Sequence, residues 1–136
     1  MKDADGERYL ALKAAMMPRD TNQFGTIFGG VLLSYIDLAA GIGARHVVQQ
    51  NGWPVQPLVT VAMDKIEFKE PVFVGDTVSF WTELVRVGRT SISVQVSVEA
   101  DRERQTVQLT HANATFVAVA ESVGRERRPV SIRGDD

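Results

Sequence analysis

The sequence predicts an α+β domain: one long helix packed on a meandering antiparallel sheet. Two observations carry that reading. From Gly30 to about Val48 the apolar residues (Val31, Leu32, Leu33, Tyr35, Ile36, Leu38, Ile42, Val47) point in nearly every helical direction, as in a helix enclosed by its fold. Residues 91–99 then alternate polar and apolar without a fault, as a half-buried antiparallel strand does.

Taken in chain order, residues 9–15 form a short apolar run suited to a first strand. Pro18 disfavours helix at Met17, and residues 19–25 read as loop. Gly29 and Gly30 close the loop. The helix that follows, at about 19 residues, would be roughly 28 Å long. Gly52, Trp53 and Pro54 end it, and after Pro57 the pattern turns to strand. Val59, Val61 and Met63 alternate, then Ile66 and Phe68 alternate on the opposite parity. That slip at Asp64 and Lys65 predicts a bulge or a strand buried on both faces. Residues 71–76 make a turn-rich connection, residues 77–87 a second strand, and Gly88 and Arg89 a tight hairpin into the alternating strand. A charged turn at 101–105 leads to a last long strand over 106–119, and residues 124–136 read as a charged, loosely ordered end. The whole, residues 1–136, is one domain with its core at about 9–120 and a tail at about 121–136. A single sheet on one helix leaves long unpaired edges, so oligomers are expected.

Composition narrows the function. Of 136 residues, 44% are hydrophobic and 24% charged, and the formal net charge of -2 gives nucleic acid no basic face to bind. With no cysteine there is no disulfide, thiolate metal site or Cys nucleophile, which suits a reducing cytoplasm. The start, Met1-Lys2-Asp3-Ala4-Asp5-Gly6-Glu7-Arg8, lacks the apolar stretch of a secretory signal. The apolar segment 31–44, interrupted by Ser34 and Asp37, is shorter than the ~18–20 residues that span a bilayer. No membrane association is expected. His46 and His111 have no metal-ligand companion at helical or strand spacing, so no metal is expected either. There is no P-loop, Rossmann glycine pattern or Gly-x-Ser-x-Gly elbow.

Three groups of residues can carry chemistry. Asp37 lies two turns inside the apolar helix, where a lone ionised carboxylate would cost several kcal/mol and so must be paired, wetted or functional. Small neighbours on its face, Ser34 and Gly41, would leave a gap for substrate; the plainer alternative is a structural pair with Arg45 or a watery interface. The loop 21–30 ends in glycines ahead of a helix, where the backbone can approach a ligand and first-turn amides can hold negative charge. A loop that merely needs unusual backbone angles has the same look. The turn Arg86-Val87-Gly88-Arg89-Thr90-Ser91 offers cations and hydroxyls to phosphate, though most such turns are simply solvated.

The ordered set Met17-Pro18, Thr21-Asn22, Gly25, Ile27-Phe28-Gly29-Gly30, Ile36-Asp37, Ala44-Arg45-His46, Val59-Thr60-Val61-Ala62, Ile66-Glu67-Phe68, Pro71-Val72, Val74-Gly75-Asp76, Val85-Arg86-Val87-Gly88-Arg89-Thr90-Ser91 and Phe116-Val117-Ala118-Val119 resembles the cytosolic acyl-CoA hydrolase branch of the hot-dog thioesterases. The resemblance covers roughly residues 9–120. It implies a long central helix wrapped by a five- to six-stranded antiparallel sheet. It also implies catalytic roles for Asn22 and Asp37, and coenzyme A contacts near Thr60, Val61, Ala62, Gly88, Arg89, Thr90 and Ser91. Met63-Asp64-Lys65 and the chain after Glu121 match less well. The activity implied is hydrolysis of acyl-CoA to a carboxylic acid and coenzyme A without a cofactor, by a homodimer assembled into a tetramer or hexamer.

On that reading Asp37 is the general base for water, with direct attack through a mixed anhydride as the other route. Gly30 and Gly29 offer backbone amides and close approach to the carbonyl oxygen, and Asn22 orients water or carbonyl. Three alternatives stand beside it: a hot-dog dehydratase, which would want a histidine near the Asn22 loop; an acyl-CoA sensor without turnover; and a structural interaction module.

Overall fold

The computed structural model describes residues 8–120 and 127–134. Strand β1 (Tyr9–Ala15) and a short 3-10 turn (Pro18–Asp20) lead to helix α1 (Gly29–Gln50). Strands β2 (Leu58–Phe68), β3 (Thr77–Val87), β4 (Ser91–Arg102) and β5 (Gln105–Ala118) follow. They form one antiparallel sheet in the order β1-β3-β4-β5-β2. The helix therefore carries the chain from the β1 edge, across the sheet, to β2 at the opposite edge.

Helix α1 has 22 residues, about 33 Å at 1.5 Å per residue, and extends a little beyond the end expected at Val48. Its length and mean hydropathy would by themselves allow it to cross a membrane, which revises the expectation of too short an apolar run. It lies instead on the inner face of the sheet. Only one stripe is buried: Leu32, Ile36, Ala39, Ala40, Gly43, Ala44 and Val48. Ser34, Asp37, Leu38 and Arg45 are exposed. The expectation of a helix buried on all sides is thus corrected, because one sheet within one chain covers one side only. Facing that stripe are alternate residues of the middle strands, among them Phe80, Ile92, Val94, Val96, Val98, Ala112, Ala114 and Phe116. Small residues let the helix sit close. A Cβ on Gly43 would stand 2.3 Å from Oγ1 and 2.5 Å from Cβ of Thr82, a buried β-branched side chain.

The bulge expected at Asp64 and Lys65 is present: the β2–β5 register breaks between Asp64 and Glu67, and Lys65 has φ 54°. A second break falls between Thr60 and Ala62. The β4–β5 hairpin turns at Glu103 and Arg104, whose φ values of 47° and 68° follow the strand twist at the cost of left-handed backbone in non-glycine residues.

The C-terminal segment departs from expectation. Within the described part, residues 127–134 are bound to the body. Val119 bridges Pro129, the Val130 amide donates to the Ala118 carbonyl at 2.9 Å, and Ser131 and Ile132 are buried. Arg133 lies over the Trp53 ring. A charged composition hid a short returning segment held by backbone bonds and one apolar anchor. Residues 124–126 and 135–136, also expected to be loose, lie outside the described residues.

Candidate active site

Helix geometry sets Asp37 one residue past the fully buried Ile36, and so on the open side of α1. The carboxylate is exposed within the chain, so the cost of burying a lone charge does not arise there. Its partner is on β2: the Thr60 hydroxyl donates to Asp37 Oδ1 at 2.7 Å. Among the described residues no ion pair joins Asp37 to Arg45. Ser34 donates its hydroxyl back to the Gly30 carbonyl at 3.0 Å, and a Cβ on Gly41 would touch the Phe116 ring at 3.8 Å. Ser34 and Gly41 thus each have a neighbour within the chain, and beside the carboxylate lies the exposed side of the helix.

Thr60, Val61 and Ala62 lie on the edge strand, and Val61 is the residue skipped in the register. The hairpin Gly88-Arg89-Thr90-Ser91 reaches the same end of the sheet, because Val117 of β5 is the register partner of Ser91 on one side and Val59 on the other. The hairpin is closed by the Gly88 amide on the Ser91 carbonyl at 2.8 Å. It is fixed from outside by two more 2.8 Å bonds, Ala118 N–H to the Thr90 carbonyl and Ile132 N–H to the Arg89 carbonyl. Asp37, residues 60–62 and residues 88–91 thus lie toward the same end of the sheet, with β5 between the edge strand and the hairpin.

Asn22 and the helix start do not join them within the chain. The Asn22 side chain braces its own loop: Oδ1 accepts the Phe24 and Thr26 amides at 2.8 and 3.2 Å, and Nδ2 donates to Thr26 Oγ1 at 2.9 Å. Gly30 precedes Asp37 by seven positions, about 10 Å along the axis. Phe28 at the helix N-cap gives no side-chain cap, and the first turn has no acidic residue. Val31 and Leu32 donate to the Phe28 carbonyl, while the Gly29 and Gly30 amides have no acceptor among the described residues. Two uncommitted N–H groups at a helix start suit negative charge. Gly29 lies against Phe68, at the end of β2 remote from Thr60. Beside it a cleft of about 310 Å³ is lined by Thr26, Ile27, Gly29, Phe68, Pro71 and Val72, among others.

The histidines are engaged elsewhere. His46 stacks on Tyr9 with ring centroids 3.7 Å apart, and His111 Nε2 lies 3.0 Å from Glu67 Oε1.

A family model of the thioesterase superfamily matches residues 24–107. The chain belongs to this superfamily. Other thioesterases resemble it over most of its length. It is 38% identical over 125 residues to an uncharacterized acyl-CoA thioester hydrolase of Zymomonas mobilis, covering 90% of this chain and 76% of that protein. It is 33% identical over 128 residues to the acyl-CoA thioester hydrolase YciA of Salmonella typhimurium, covering 92% of each. Among solved structures, a hexameric hotdog fold thioesterase of Campylobacter jejuni superposes with TM-score 0.75 at 42% identity, over 94% of this chain and 92% of that one. The five-stranded sheet and central helix are the hot-dog fold of these thioesterases.

Sequence reasoning singled out Asp37 but missed that Thr60 is its hydrogen-bond partner. A hydroxyl 23 positions away, on an exposed edge strand, carries no local signal.

Proposed function

We propose that this chain is an acyl-CoA thioesterase that hydrolyses acyl-CoA to a carboxylic acid and coenzyme A. The carrying observation is the Asp37 carboxylate, held by Thr60 on the open side of a helix that is buried along one stripe. One oxygen is fixed by the hydroxyl and the other is left for water. Asp37 takes a proton from that water as the oxygen attacks the thioester carbonyl. The C–S bond then breaks, and coenzyme A leaves as a thiolate. A thiol with a pKa near the ~8.5 of cysteine needs no strong general acid to depart. What the chemistry needs besides the base is stabilisation of the carbonyl oxygen, and the Gly29 and Gly30 amides are suited to it. Thr60, Val61, Ala62 and the hairpin 88–91 take the coenzyme A portion, with Arg89 toward its phosphates. The reaction calls for no cofactor, and we assign it to the cytoplasm.

The working unit in this reading is a homodimer that joins β2 edges, with higher assembly into a hexamer as in the Campylobacter jejuni relative. Its support is an exposed edge strand flanked by exposed Phe24, Phe28, Leu38, Val61 and Phe68, a set of apolar side chains that monomers rarely leave uncovered. In the dimer, Asn22 and the helix start of one chain face Asp37 and Thr60 of the other. A panel of acyl-CoAs of increasing length, with thiol release followed by a thiol reagent, tests the activity. Saturable release from at least one member is expected; binding without release would make the chain a sensor instead.

A further inference from the structure

The turn Pro71-Val72-Phe73-Val74-Gly75-Asp76 stands out in the sequence but has no part in the chemistry above. The structure ties it down from one side and hangs the helix start on it from the other. On the first side, Arg102 at the end of β4 reaches Asp76. Nη2 is 2.5 Å from Oδ2 and Nε 3.3 Å from Oδ1, while Nη2 also donates to the Pro71 carbonyl at 2.8 Å. The guanidinium lies over the Phe73 ring at 5.3 Å, and the Phe73 amide donates to Asp76 Oδ2 at 2.9 Å. Both charged side chains are largely covered. Burial alone would raise the Asp76 pKa; the Arg102 and Phe73 hydrogen bonds and the Arg102 charge outweigh it and hold the carboxyl below its ordinary value.

On the second side, the same turn grips both ends of the Asn22 loop. Before the loop, Met16 exchanges two 2.9 Å bonds with it, its amide to the Asp76 carbonyl and its carbonyl from the Gly75 amide. After the loop, the Ile27 amide donates to the Val72 carbonyl at 2.8 Å. Met16, Ile27 and Val72 are buried anchors, and Gly29 follows two residues after Ile27.

We infer that Arg102 is a positioning residue for hydrolysis: by fixing the 71–76 turn it sets the place of the Asn22 loop and of the Gly29 and Gly30 amides. The inference rests on the thioesterase reading and on those amides meeting the carbonyl oxygen. A bidentate guanidinium on a carboxylate sets orientation as well as distance, and a displacement of about 1 Å in a site can cost on the order of 10²-fold in rate. Arg102 sits eleven residues along β4 from the hairpin at Ser91, about 36 Å away, so coenzyme A binding there should not feel its loss.

The test compares Arg102→Met and Arg102→Lys with the parent by steady-state kinetics on the best acyl-CoA and by hydrogen exchange followed by mass spectrometry. For Arg102→Met we expect kcat to fall about ten-fold or more with KM within about two-fold. Exchange should quicken in peptides holding Met16 and Ile27 and stay unchanged across β4 and β5. Arg102→Lys, which keeps charge but not the fork, should recover part of kcat. Asp76→Asn provides the same comparison from the other partner should Arg102→Met not fold. Unchanged exchange at Met16 and Ile27 would overturn the inference, and so would quicker exchange with unchanged kcat. Loss of protection throughout the sheet would reduce Arg102 to a general stabiliser and overturn it as well. An active parent with an indifferent Arg102 removes only this inference, whereas a parent that hydrolyses no acyl-CoA removes the thioesterase reading itself.

Discussion

A carboxylate that accepts one hydroxyl hydrogen bond is oriented without being used up, and Asp37 is in that condition beside Thr60. The proposed role depends on its charge, which sets the expected result of a nearly isosteric change. Asp37→Asn should lower kcat by about 10²–10⁴, the usual loss for one general base, while coenzyme A still binds. Thiol release within a few-fold of the parent would end the assignment. A different residue tests the packing. Ala at position 43 would press its methyl into Thr82, whose hydroxyl donates to the Tyr9 carbonyl at 3.1 Å and would give up that bond by turning away. Overpacking typically costs about 1–3 kcal/mol, and exchanging Gly for Ala in a helix returns about 1 kcal/mol. Gly43→Ala should therefore lose up to about 2 kcal/mol in urea unfolding, and Gly43→Ala with Thr82→Ala should regain much of it. The sequence marked Asp37 because a charge among Ile36, Leu38 and Leu33 is conspicuous. It misjudged the environment, since helical spacing tells which residues share a face but not which face the sheet covers.

Strands were the most legible elements, because alternation is a direct image of a sheet with one face inward. Residues 91–99 read cleanly since β4 lies in the middle of the sheet with its apolar side on α1. The β2 bulge was legible too, since a one-residue slip reverses parity. The docking of residues 127–134 was not, because its contacts are mainly backbone hydrogen bonds and backbone groups leave no pattern in side chains. That segment bears on function through the hairpin 88–91. Arg89 presents its carbonyl to the Ile132 amide. Arg89→Ala removes a guanidinium and leaves that carbonyl in place, so the hairpin should keep its shape. Its expected effect is a rise in KM for acyl-CoA larger than any fall in kcat, as for a group contributing uniform binding far from the reacting bond. Equal losses in kcat and kcat/KM would place Arg89 in the transition state, and no change would return it to a solvated turn.

At the scale of the whole molecule, the residues assigned to the proposed site fall into two groups that the single chain keeps apart. Asp37 and Thr60 lie on the open side of α1 against the edge strand, while Asn22 spends its side chain on its own loop near the helix start. In the proposed dimer a two-fold axis along the β2 edge would bring one half of each chain against the other half of its partner, since an isologous interface repeats every contact twice. This geometry makes an uncommon prediction: two inactive chains should repair each other. In a mixed dimer of Asn22→Ala with Asp37→Ala, one site receives both substitutions and the other receives neither. Random pairing yields about half mixed dimers, each with one intact site of two, so activity should return to roughly a quarter of the parent value. The chains are to be co-expressed with two different affinity tags and the heterodimer purified through both, because a tight dimer does not exchange after the fact. Isolated as a free dimer, the heterodimer should reach about half the parent activity, whereas a doubly tagged hexamer, in which homodimers share the assembly, should show roughly a quarter. Were each site built inside one chain, every site in the mixture would carry one substitution and the heterodimer would stay inactive. An inactive, doubly purified heterodimer would therefore rule out the shared site while leaving the fold and the superfamily untouched.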